Sequence, residues 1–177
     1  MSWKWGGRMN NKCIYYVEGP CEQQLIAALK QNPAKLIPGK IKVLNVIQNL
    51  IPKSQMLSIQ SGTTVVLVFD TDVEQTAKLK KNLELLTRYC GKLQIIFLPQ
   101  VLNLEDELVR CTDVSSAADL TRSNSIRNFK TDFCKLKVKD CRTMLERHGL
   151  KTEKLWAAKV PEAFSFVESN SNRIKVD

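Results

Sequence analysis

Apolar residues come in short bursts through the first hundred positions and at helical spacing between and after them. Cys13-Ile14-Tyr15-Tyr16-Val17, Ile41 to Ile47, Thr64-Val65-Val66-Leu67-Val68-Phe69 and Leu93 to Leu98 are compact runs rich in β-branched or aromatic side chains. Runs of that length and make-up, bounded by turn-forming or charged residues, predict buried strands. Between the first two, Leu25, Ile26 and Leu29 mark the buried face of a helix that ends near Asn32-Pro33. The stretch 48–60, with Pro52 near its start, predicts a short helix. Leu79, Leu83 and Leu86 line one side of an amphipathic helix over about 73–88, which Gly91 ends. The order β-α-β-α-β-α-β with short links predicts an α/β fold, a four-stranded parallel sheet flanked by helices.

Beyond Pro99 the strand signal stops and a C-terminal helical extension begins. Asn103 to Arg110 predicts a helix capped by Asn103, with Glu105, Asp106 and Glu107 in its first turns. Ser123–Leu136 and Asp140–His148 predict two more, the last ending at His148-Gly149, where a histidine suits the helix dipole and glycine the cap. No internal repeat or long linker divides the chain. We therefore expect an α/β core over 12–112, a basic helical extension over 113–168 packed on the same domain, and flexible termini at 1–11 and 169–177. Met9 is an alternative start, which would make Trp3 and Trp5 dispensable.

Composition is that of an ordinary globular protein, 44% hydrophobic and 25% charged. No apolar stretch approaches the roughly 20 residues that cross a bilayer. The N-terminus lacks the apolar core of a signal peptide, so the expected location is cytoplasmic, with no membrane partner. The six cysteines form no C-x-x-C pair and the single histidine is His148, which leaves structural zinc little support. Buried, reduced thiols are the expectation, Cys134 and Cys141 included. Charge does change the picture. The net charge is +9, and its excess gathers in Lys30, Lys35, Lys40, Lys42 and Lys53 and throughout the last third of the chain. Such a distribution points to nucleic acid, held through its phosphates, with Arg127, Lys130 and Lys135 as candidate contacts.

Acids stand where the strands end. Glu18-Gly19 closes the first run, and Asp70-Thr71-Asp72 closes the third. Open α/β sheets bind ligands at the carboxyl ends of their strands. Three carboxylates converging there suit Mg²⁺ (or Mn²⁺), a hard cation that takes oxygen ligands and keeps waters for exchange with phosphate. Glu18 is a candidate third ligand or general acid/base, and phosphoryl chemistry uses both. The bland alternatives are a turn at Glu18-Gly19 and a helix cap at Asp72. Glu105 and Asp106, at the same sheet edge after the fourth strand, are further candidate site acids, with Glu74 a weaker one.

Val17-Glu18-Gly19 and Phe69-Asp70-Thr71-Asp72, at matching ends of the first and third strands, resemble the Toprim domain of topoisomerases, bacterial primases, OLD-type nucleases and small maturation ribonucleases. The resemblance covers about residues 12–100. It implies a Rossmann-like sheet, Glu18 as general acid/base or metal ligand, Asp70 and Asp72 as Mg²⁺ ligands, and, by likeness to nuclease-like members, Glu105 or Asp106 as an additional acid helping to hold a second metal. No Gly-x-x-x-x-Gly-Lys-Ser/Thr segment accompanies it, so the ATP-dependent OLD architecture is absent from this sequence. The resulting expectation is a stand-alone Mg²⁺-dependent nuclease, or other phosphodiester-processing protein, acting on DNA or RNA in RNA maturation, repair or defence against mobile DNA. It is open to a homo-oligomer or a protein partner. The alternatives are a non-catalytic nucleic-acid-binding or regulatory module and a small-molecule phosphate-handling enzyme.

Overall fold

The computed structural model describes residues 12–168 and 170–176; the expectations for 1–11, Met9 among them, lie outside the described residues. Strands β1 (Cys13–Val17), β2 (Lys40–Val43), β3 (Thr64–Asp70) and β4 (Gln94–Gln100) alternate with helices α1 (Pro20–Leu29), α2 (Lys53–Leu57) and α3 (Ala77–Tyr89). Helices α4 (Leu104–Cys111), α5 (Ala117–Thr121), α6 (Ile126–Lys135) and α7 (Val138–Arg147) follow, and then three short 3₁₀ turns. All strand pairs are parallel, in the order β2-β1-β3-β4. No helix among the described residues is long and apolar enough to cross a membrane.

Strands β1, β3 and β4 are largely buried between the helix layers, which is why they read as continuous apolar runs; the edge strand β2, Lys40-Ile41-Lys42-Val43, alternates and stays partly exposed. Tyr15 and Val17 of β1, Val66 and Val68 of β3, and Ile96 and Leu98 of β4 form one core with Leu25, Ile26 and Leu29 of α1. The later helices complete that core through Leu108, Phe129, Phe133 and Leu145. Tyr16, Val65, Leu67 and Phe69 face the other way, onto Leu79 and Leu86 of α3, Met56 of α2 and Phe164.

Several boundaries differ from expectation, each for a local reason. β2 stops at Val43 instead of reaching Ile47, because the Asn45 side chain accepts the Ile47 and Gln48 N–H groups (3.0 and 3.1 Å) and turns the chain. α3 begins at Ala77 and not near residue 73, because Thr71 is bonded across to the end of β4. The short α5, unanticipated, is started by a Ser116–Asp119 capping box.

The C-terminal segment 170–176, expected to be loose, is tied down. Ile37 donates its N–H to the Ile174 carbonyl at 2.9 Å, Leu36 bridges Lys175, and Ile174 is fully buried. Asn170 covers the outer edge of β4: Oδ1 accepts the Phe97 N–H at 2.9 Å and Nδ2 donates to the Ile95 carbonyl at 3.0 Å. One side-chain amide thus stands in for a further strand. The opposite edge, β2, carries Lys40 and Lys42, charges that discourage strand addition.

Candidate active site

Chain direction positions the site. From β1 the chain moves through α1 to β2 on one side, whereas β3 lies on the other side of β1. The gap between the carboxyl ends of β1 and β3 is therefore the topological switch point, where two connections diverge and leave a crevice. Glu18 follows β1 and Asp70 ends β3, so both stand at that gap.

Glu18 and Asp70 are in direct contact: the Asp70 N–H donates to Glu18 Oε2 at 3.2 Å. Gly19 is the extended N-cap of α1 and Pro20 opens the helix, a position where its missing N–H costs nothing. Glu22, at the third helical position, folds its carboxylate back so that a Cβ on residue 19 would stand 3.3 Å from Glu22 Oε2. Backbone N–H groups of Gly19 and Glu22 itself donate to that carboxylate. Asp72 lies exposed in the loop 71–76; Thr76, and not Asp72, occupies the cap position of α3. Thr71 anchors the Asp pair. Its N–H is shared by the carbonyls of Gln100 and Leu102, both at 3.0 Å. Its hydroxyl donates to the Gln100 carbonyl at 3.2 Å and accepts the Leu102 N–H at 3.0 Å.

Crowded carboxylates resist ionisation. Burial, followed by the charges of Glu18, Glu22, Asp72 and Glu105, pushes the Asp70 carboxyl up to about 9. Burial likewise raises Glu18, against the opposing effect of the Asp70 N–H, and raises Glu22. Asp70 Oδ1 is buried with no hydrogen-bond partner among the described residues.

Of the two later acids, Glu105 is the one that acts on Glu18, Glu22 and Asp70. It is nearly buried and pairs with Lys130 Nζ of α6 at 2.9 Å, which holds the ammonium above its ordinary pKa. Asp106 gives its N–H to the Asn103 cap at 3.0 Å, in the first turn of α4. Glu107 turns inward to Arg110 and the Trp156 N–H, and Glu74 is exposed in the loop after Asp72. Of the three candidate phosphate contacts, Lys130 reaches the acids, while Arg127 and Lys135 are exposed on α6. Arg142 is buried between Glu146 and the Pro33 carbonyl, tying α7 to the loop that follows α1.

No site role is expected of Glu22 from the sequence, and Cys134, expected to be buried, is instead half-buried on α6 while Cys141 is buried on α7. Glu22 is 6% exposed and belongs to the cluster. It sits on the same helical stripe as Leu25, Ile26 and Leu29, and an acid on a buried stripe was the available signal. Cys21 of α1 and Cys134 of α6 are half-buried free thiols with sulfurs 2.7 Å apart, joining the helices that carry Glu22 and Lys130.

Among the described residues, no group of three or more His, Cys, Asp or Glu side chains is drawn together closely enough to hold a metal ion as the side chains stand. The donor chemistry nevertheless fits a hard divalent cation. All the clustered acids offer oxygen, one oxygen is buried and unpaired among the described residues, and Lys130 is the counter-charge paired with the cluster. Comparison with protein-family models, with curated proteins and with solved structures finds no match.

Proposed function

We propose that this chain is a Toprim-type, Mg²⁺-dependent phosphodiesterase acting on nucleic acid. One observation carries the reading. Asp70, at the switch point of a parallel sheet, keeps an unpaired buried carboxylate oxygen amid the charges of Glu18, Glu22, Asp72 and Glu105. A carboxyl so placed gives up its proton reluctantly, and a divalent cation taking the proton's place would neutralise the crowded charge. Asp70 and Asp72 hold the cation, with Glu105 as a further donor. The bound cation neutralises phosphate charge and lowers the pKa of water. Glu18 is raised by burial and lies one hydrogen bond from the Asp70 backbone, which suits it to hold or release the proton of the attacking water. Lys130, paired with Glu105 at 2.9 Å, offers the phosphate a positive partner beside the acids.

The test is direct. Purified protein with Mg²⁺ or Mn²⁺ is offered single- and double-stranded DNA and RNA, alongside the double variant Asp70→Asn, Asp72→Asn. Cleavage that the double variant abolishes supports the site, and cleavage that survives it sinks the site. A non-catalytic nucleic-acid-binding module is the second reading. On its side stands the Lys130 ammonium, which already neutralises Glu105 without a metal. Salt-sensitive binding with no turnover under any divalent metal selects that reading.

A further inference from the structure

Gln100, the last residue of β4, has no exposed surface, yet neither Nε2 nor Oε1 of its amide has a hydrogen-bond partner among the described residues. Buried amides are almost always paired, so a wholly unpaired one asks for a ligand. Its location is informative. β3 and β4 run in register, with Asp70 directly opposite Gln100. Opposed residues on parallel strands project to the same face. Val66 and Val68 before Asp70, and Ile96 and Leu98 before Gln100, identify that face as the one covered by α1 and the later helices. Asp70 Oδ1 is the other unpaired buried oxygen at this strand end. Thr71 bonds through both its N–H and its hydroxyl to the Gln100 carbonyl, so the two strand ends are held together.

We propose that Gln100 is a positioning residue of the cation site: its Nε2–H group supports the Asp70 carboxylate and its Oε1 accepts a hydrogen bond from a water carried by the divalent cation. The inference rests on the cation reading of the acids given above. The amide suits this place because it supplies a donor and an acceptor without adding charge to an already crowded cluster. Another acid would deepen the repulsion on Asp70, and an apolar residue would have no donor to offer its Oδ1 once the cation is bound. Groups behind the ligands that orient them typically change metal affinity by about 10–100-fold when removed.

The experiment compares the full chain with Gln100→Met, close in volume, and Gln100→Leu. Two readouts are taken: the Kd for Mn²⁺ by calorimetry, and Tm in EDTA. Removing an unpaired buried amide leaves Tm in EDTA equal or higher, while the Mn²⁺ Kd weakens about 10-fold or more. Mn²⁺ affinity then falls with no loss of Tm, a combination that a purely structural glutamine does not produce. Wild-type protein that binds Mn²⁺, with both variants binding it equally well, overturns the role of Gln100 and leaves the acid site standing. Wild-type protein that binds no Mn²⁺ overturns the cation reading and this inference with it. A second measurement does not depend on the variants folding. In wild-type protein, the Gln100 side-chain amide protons shift and exchange more slowly by NMR when Mg²⁺ is added; unchanged resonances overturn the proposal.

Discussion

Replacing Asp70 by Asn should stabilise the metal-free protein, and increasingly so as pH rises. The native Asp70 carboxyl keeps its proton to about pH 9, because burial and four neighbouring carboxylates disfavour its charge. In the unfolded chain the same group ionises at about pH 4. Between those limits the native state holds a proton that the unfolded chain has lost, so stability falls as pH rises, at about 1.4 kcal/mol per pH unit. It is greatest below the unfolded value, and the decline ends as pH passes the native one. At pH 7 the accumulated penalty has a ceiling of about 4 kcal/mol. Water reaching the partly exposed residue and relaxation of its neighbours reduce that to about 2 kcal/mol. Asparagine keeps the shape of the protonated acid and does not titrate, so the variant lacks the penalty. Urea denaturation in EDTA, from about pH 5 to about pH 8, measures it: the two stabilities should separate steadily as pH rises. Parallel profiles would mean that Asp70 ionises normally, and the charge-crowding argument for a cation would fall.

Three further outcomes follow from the packing and the charges. Lys130→Gln should weaken nucleic-acid binding and lower the salt dependence of log K by about one, read by anisotropy across a KCl series; an unchanged slope removes Lys130 from the interface. Asn82→Ala should cost about 3 kcal/mol in urea denaturation, because the fully buried Asn82 accepts the Ile51 N–H and donates to the Val46 and Asn49 carbonyls. A loss under about 1 kcal/mol would show that water replaces those bonds. Asn170→Ala should uncover the β4 edge, seen as faster hydrogen exchange at the Phe97 amide, which donates to the Asn170 side chain. Unchanged exchange there would mean that the edge is protected by other means.

The acids differ in how readily they can be read from the chain. Glu18 and Asp70 end apolar bursts, and a burst that stops at a carboxylate marks the end of a strand without reference to anything distant. Asp72 was ambiguous between cap and site; the cross-link from Thr71 to β4 delays α3 to Ala77 and removes the cap role. Glu105 and Asp106 are adjacent in one helical turn, and which of them meets Lys130 depends on how α4 and α6 pack. Glu22 was legible in principle as an acid on the stripe of Leu25 and Ile26. Gln100 was not: a glutamine after an apolar run has nothing unusual about it until the register of β4 against β3 is known. The binding of the C-terminal segment was equally hidden, since its partners are the Leu36 region and the edge of β4.

Hydrophobic period, turn residues and charge act over a few positions, so the sequence by itself determined the β-α alternation, the parallel sheet and the carboxylates at the strand ends. Strand order, register and helix packing join residues tens of positions apart, and only the tertiary structure decided them. It put β1 between β2 and β3, so that Glu18 and Asp70 stand together at the switch point. It also brought Glu22 and Lys130 to that strand end and set Gln100 opposite Asp70. The physical reason is desolvation. A carboxylate or an amide has ordinary properties until packing takes it out of water, and which groups lose their water is settled by the whole fold at once.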